Sequence, residues 1–99
     1  MSATDTTPAD FRALAAKLGN PPVIVFSKPS CVQCSATYRS LEAKGIVYTV
    51  VDVTADEDAL AHVVGLGYAQ MPVVETESDH WSGHRPDKLI GLKNALAAS

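Results

Sequence analysis

The stretch KPSCVQC, residues 28–34, lies between an apolar run of strand length and a helical segment, and this placement restricts the fold more than any other feature of the chain. Pro22-Val-Ile-Val-Phe-Ser27 is apolar without alternation, as expected of a strand covered on both faces. SATYRSLEAK, after the cysteines, reads as a helix ending at Gly45, and Ile46 to Val53 (IVYTVVDV) as a second, β-branched strand. Strand, helix and strand joined this closely form a βαβ unit, with parallel strands and a right-handed crossover.

The flanking segments complete the architecture. Thr54 and Glu57 have capping-box spacing and open a helix through Leu60, Val63 and Val64 toward Gly65 and Gly67. Pro72-Val-Val-Glu-Thr76 is a third strand and HWSG a fourth, and ESD between them supplies the turn of an antiparallel hairpin. Pro86 starts a last helix, with Leu89, Leu92 and Leu96 at helical spacing. Ahead of the βαβ unit, Thr7 caps a short helix, Pro8 takes its first position and Asp10 completes a weak capping box. Phe11, Leu14, Ala15 and Leu18 share one face of that helix and Gly19 stops it. The expectation is an α/β thioredoxin-type fold: a mixed four-stranded sheet with helices on both faces, plus an extra N-terminal helix. It divides into an extension over residues 1–20 and one domain over residues 21–99.

Composition narrows the function. Ninety-nine residues make a single domain, and 46% apolar with 19% charged residues is globular composition. A net charge of −3 argues against nucleic acid or an anionic membrane as partner. The opening MSATDTTPAD has no basic residue and no apolar run, and no stretch approaches the roughly 18 apolar residues of a spanning helix, so a soluble, cytoplasmic monomer is expected. Both cysteines fall within four residues, where closing the loop stabilises by only about 2 kcal/mol. Such a bond is there to be made and broken.

Position supplies the chemistry. Cys31 stands where a helix begins, so free N–H groups and the positive helix end favour its thiolate. Lys28 adds a positive charge and Pro29 stiffens the loop. Cys34, one turn further in, is placed to resolve a mixed disulfide on Cys31, which makes Cys31 the attacking thiol. A metal half-site is the competing reading, but tetrahedral zinc needs four ligands and the chain has no second cysteine pair; only a dimer sharing the cysteines, around zinc or an iron–sulfur cluster, would supply them. Met71-Pro72 is read either as a plain strand start or as a cis proline facing the cysteines, with the Met71 backbone free to pair with a substrate strand. His62 lies on a helix away from the motif and reads as structural, while His80 and His84 flank Trp81 and are candidates for a partner surface. Asp56, Glu57 and Asp58 are charges suited to a helix N-terminus.

KPxCVQC, the Met71-Pro72-Val73-Val74 strand and DHWSGHRPDKL together resemble the NrdH-redoxins over roughly residues 22–97. These are glutaredoxin-like electron donors of class Ib ribonucleotide reductase. The resemblance implies a thiol–disulfide oxidoreductase with no bound cofactor beyond a redox-active Cys31–Cys34 disulfide. It implies a cis Pro72, the large subunit of the reductase as client, and re-reduction by thioredoxin reductase. Lys28, Val32, Gln33, Met71, Pro72, Asp79, His80, Trp81 and Arg85 are the implied partner-binding residues. His84 stands where the family usually has phenylalanine, and residues 1–20 exceed the short family form. Thioredoxins typically carry an acid on the strand before the cysteines, and VIVF has none. Glutathione-dependent glutaredoxins, the nearest rival reading, usually have a Gly-Gly-x-Asp-Asp type segment where this chain has WSGHRPD, which leaves Asp87 without an acidic neighbour. Weak glutathione binding is expected.

Overall fold

A computed structural model describes the backbone of residues 7–98 and the side chains of residues 11–97. Four strands, β1 (Val23–Ser27), β2 (Thr49–Asp52), β3 (Val73–Thr76) and β4 (His80–Ser82), form one sheet in the order β2-β1-β3-β4. β1 runs parallel to β2, with Ile24 opposite Thr49, and antiparallel to β3, with Phe26 opposite Val73. β4 returns antiparallel to β3, with Val73 opposite Ser82. Four helices accompany the sheet: α1 (Thr7–Lys17), α2 (Val32–Ala43), α3 (Glu57–Gly65) and α4 (Pro86–Ala98). This is the thioredoxin-type fold, with its added N-terminal helix.

Alternation along β1 explains why an apolar run was needed. Ile24 and Phe26 point to one face and join Phe11 and Ala15 of α1, Ala59 and Val63 of α3, and Val73. Val23 and Val25 point to the other, among Leu41 of α2, Leu89 of α4, Val74 and Trp81. Every β1 residue is buried, and each apolar one contributes about 1.5–3 kcal/mol relative to exposure. No helix among the described residues is long and apolar enough to cross a membrane.

Several element boundaries shift by a few residues from the sequence reading, and three of these shifts have a clear local reason. The second strand begins at Thr49 rather than Ile46, because Gly45 adopts φ 69° and the Ile46 N–H closes back on Leu41 O at 3.0 Å. That turn ends α2 and spends Ile46 on the core. Asp56, not Thr54, caps α3, its Oδ1 accepting from the Ala59 N–H at 3.0 Å. Thr54 is already engaged: its hydroxyl and its N–H both donate to Asp52 Oδ1, at 2.6 and 2.8 Å, and hold the Asp52 carboxyl below its ordinary range. The last strand stops at Ser82, since Gly83 turns the chain with φ 89°. The capping roles read for Thr7, Pro8 and Asp10 lie outside the described side chains.

Candidate functional site

The loop after β1 turns sharply to present the cysteines. Ser30 holds φ 56°, a left-handed conformation that costs a non-glycine residue about 1–2 kcal/mol. Cys31 then serves as the N-cap of α2: its Sγ accepts from the Cys34 N–H at 3.2 Å, filling an otherwise unpaired donor of the first turn. Cys31 and Cys34 stand at disulfide distance, with Cα atoms 5.1 Å apart. Cys31 is partly exposed and Cys34 buried. The motif thus offers one accessible sulfur at a helix N-terminus and one protected sulfur behind it.

Facing it, the Met71–Pro72 peptide bond is cis, and Met71 O lies 3.9 Å from Cys31 Sγ. Two bonds fasten this loop to the end of β4. The Gly83 N–H donates to Pro72 O at 2.8 Å, and Ser82 Oγ donates to Gln70 O at 2.9 Å. A third tie lies further back, where the Tyr68 hydroxyl sits 2.7 Å from His80 Nδ1. Burial, and then the charge of Asp79, raises the Tyr68 pKa, so the phenol stays neutral as a partner for the ring.

The loop after β4 is joined to α2 as well. The His84 N–H donates to Gln33 Oε1 at 3.1 Å, and His84 Nδ1 lies 3.2 Å from the buried Thr37 hydroxyl. Arg85 meets Asp87 through two contacts, Nε to Oδ1 at 3.1 Å and Nη2 to Oδ2 at 2.9 Å, and lowers the Asp87 pKa. A Cβ on Gly83 would lie 3.3 Å from Gln33 Oε1 on a backbone already at positive φ. Gly83→Ala is therefore expected to destabilise by about 1–2 kcal/mol, measured as a lowered urea midpoint.

Of the residues singled out in the sequence, Met71, Pro72, Val32 and Gln33 surround the cysteines, and Lys28 is exposed on the loop before them. Val32, 82% exposed, is the most open large apolar side chain among the described residues. Arg85 follows the His84 contact on α2. Asp79 is not brought to this site. β3 leads away from it, from Val73 to Thr76, and Asp79 occupies the turn at the far end, paired with Lys88 at 3.1 Å. Trp81 is buried against Val25, Val74 and Leu89, with Lys88 Nζ 5.8 Å from its ring. His80 holds the hairpin to Tyr68.

Sequence reasoning missed two arrangements. Thr37 sits one turn beyond Cys34 and receives the His84 ring, for which helical spacing was the available signal. His62 Nε2 contacts the wholly buried Glu75 Oε1 at 2.6 Å, beneath the face covered by α1 and α3. An acid sharing a strand face with Val73 was the sign that a partner was needed. No group of three or more His, Cys, Asp or Glu that could hold a metal ion occurs among the described residues.

A redox-capable cysteine pair heading a helix on this sheet defines a thiol–disulfide oxidoreductase of the thioredoxin fold. Residues 23–81 match the glutaredoxin family model. The glutaredoxin-like protein NrdH of Salmonella typhimurium is 36% identical over 70 residues, which cover 71% of this chain and 86% of that protein. The chain belongs to the glutaredoxin family and has NrdH proteins among its relatives. The solved structure of the Escherichia coli NrdH-redoxin, a glutaredoxin-like protein with a thioredoxin-like activity profile, superposes with a TM-score of 0.69 at 33% identity and covers 71% of this chain and 92% of its own. Glutaredoxin C1 of Populus tremula x tremuloides superposes with a TM-score of 0.61 at 27% identity, covering 96% of each chain. Coverage that wide takes in α1, which sets the N-terminal helix within the range of the glutaredoxins.

Proposed function

We propose that this protein is an electron-carrying redoxin that reduces protein disulfides, with Cys31 attacking and Cys34 resolving, and that thioredoxin reductase rather than glutathione reduces it. Its proposed client is the tail disulfide of the class Ib ribonucleotide reductase large subunit, the client that the NrdH resemblance implies. In this reading it acts as a cytoplasmic monomer, with no cofactor beyond its own disulfide.

The observation that supports the choice of reductant most directly is the Arg85–Asp87 pair. Glutathione carries an ammonium group that a free carboxylate would have to receive, and Asp87 is already held by a guanidinium through two contacts. The thioredoxin-like activity profile of the E. coli relative points the same way. The proposed mechanism follows from the loop geometry. The Cys31 thiolate, stabilised by the Cys34 N–H and the positive end of α2, attacks a substrate sulfur. The substrate chain lies extended along the Met71 backbone, while Val32 offers an apolar contact. Cys34 then displaces the substrate thiol and closes the disulfide.

NADPH consumption by the oxidised protein tests this, with thioredoxin reductase in one arm and glutathione plus glutathione reductase in the other. Turnover is expected in the first arm and little or none in the second, with Cys31→Ser silent in both. The reverse pattern would make the protein a glutathione-dependent glutaredoxin. Silence of the wild type in both arms, with colour or zinc in the purified protein, would favour a shared-cysteine metal or iron–sulfur module.

A further inference from the structure

Gln33 stands between the two cysteines in the first turn of α2, and although the residue is exposed its side-chain carbonyl is engaged. Its Oε1 accepts from the His84 N–H at 3.1 Å. An amide nitrogen cannot accept, so this contact fixes which way the Gln33 amide faces. Gly83 leaves room for it, since a Cβ there would lie 3.3 Å from the same oxygen. Thr37, one turn further along α2, also reaches His84, through the ring at 3.2 Å. The Thr37 contact holds a side chain, whereas the Gln33 contact holds the main chain itself.

Through that main chain Gln33 reaches the cis-proline loop. The Gly83 N–H, next to His84, donates to Pro72 O at 2.8 Å, and Ser82 Oγ donates to Gln70 O at 2.9 Å. These two carbonyls bracket Met71, whose own O lies 3.9 Å from Cys31 Sγ. A closed circuit results. It runs from Cys31 along the helix to Gln33, across to His84, back through Gly83 and Pro72 to Met71, and so to Cys31 again. The contact at Gln33 is where the circuit crosses from the helix that carries the cysteines to the loop that faces them.

We infer that Gln33 is a positioning residue that makes the protein select disulfides set in extended peptide. It holds the Met71 backbone at the spacing from Cys31 at which a flanking chain can pair with it while the substrate sulfur meets Sγ. A small disulfide carries no such chain and reaches Cys31 without using Met71. Pairing along a backbone edge depends on hydrogen bonds that weaken steeply with distance and angle, so the edge must be kept in place. Releasing the loop from α2 therefore costs peptide binding. It leaves the reactivity of Cys31 alone, because the Cys34 N–H and the helix end support that sulfur.

This rests on the proposed attack by Cys31 on a substrate laid along Met71, and two probes of matched chemistry separate the claims. One is the disulfide-linked dimer of an octapeptide with a single central cysteine, and the other is hydroxyethyl disulfide. Reduced protein is mixed with an excess of either, and loss of its thiols is followed by quenching, alkylation and mass spectrometry. With both probes the Cys31 thiolate bonds to one alkyl sulfur, and the other leaves as a thiolate with the electron pair. Cys34 then gives its proton to solvent, displaces the first alkyl thiolate and closes the disulfide. Wild type is expected to react about tenfold faster with the peptide, as one or two added hydrogen bonds allow. Gln33→Met keeps length and helix preference but has no amide acceptor. It should lose most of that advantage through a raised half-saturation concentration for the peptide, with its rate on hydroxyethyl disulfide within about twofold of wild type. Gln33→Glu keeps an acceptor for the His84 N–H and should restore the ratio of the two rates, whatever its charge does to both. A wild type with no preference for the peptide would overturn the substrate path along Met71. A preference that survives in Gln33→Met would overturn the role of Gln33 alone, as would equal losses on both probes or a Gln33→Glu ratio no better than that of Gln33→Met.

Discussion

Cys34→Ser is expected to abolish repeated turnover while leaving the first attack intact. The two effects separate because the group that stabilises the Cys31 sulfur is the backbone N–H of residue 34, at 3.2 Å, and not its side chain. Serine keeps that N–H and the helix end behind it, so Cys31 should still react once and release one thiolate per protein. The resulting mixed disulfide has no internal thiol to displace it. A well-oriented intramolecular group acts at an effective concentration that reaches about 10⁵ M, whereas added thiol is present at millimolar levels. Even if only a small part of that advantage is realised, turnover in the NADPH assay should fall at least about 100-fold. Mass spectrometry of the quenched reaction should find the adduct on Cys31. Cys31→Ser should form no adduct, since Cys34 is buried. An adduct on Cys34 in Cys31→Ser, with none in Cys34→Ser, would reverse the roles.

What could be read from the sequence was local. The cysteine spacing, the apolar strand before it and the helix after it are neighbours in the chain, and periodicity identifies each of them. The cis Pro72 came from the resemblance, because X–Pro bonds of both isomers look alike in a sequence. Register and tertiary pairing were beyond reach. The resemblance implies Asp79, His80, Trp81 and Arg85 together as partner-binding residues, but the fourth strand, legible in HWSG, runs between them. That strand carries Asp79 to the far end and turns Trp81 into the core, while only Ser82 and the residues after it reach α2 and the cis-proline loop. Thr54 and Asp56 are both ordinary helix caps, and the choice between them was made by Asp52, which binds Thr54 first. The partner of Glu75, His62, sits thirteen positions earlier on another element, a pairing that no local pattern of the sequence displays.

That pair should give one of the large stability effects in the protein. His62→Ala is expected to cost about 3–5 kcal/mol, the usual penalty for removing one member of a buried pair. Glu75 is wholly buried, and its Oε2 has no hydrogen-bond partner among the described residues. Without His62, its Oε1 would lose the contact at 2.6 Å, and the tilted packing of the imidazole on Phe26 would go with it. The reverse deletion should be milder. His62 lines the groove between α1 and α3 and keeps 17% of its side chain exposed, so after Glu75→Leu the imidazole can turn to water. Leucine meanwhile fills a site already walled by Ile24, Phe26 and Val73. Urea midpoints for the two variants, taken with unchanged m-values, should fall in that order. Equal losses would mean that the pair matters through packing rather than through the buried carboxylate. Because Glu75 lies across the sheet from α2, attack by Cys31 and resolution by Cys34 should keep their wild-type rates in any variant that remains folded, which sets the stability role of His62 apart from the chemistry of the cysteine pair.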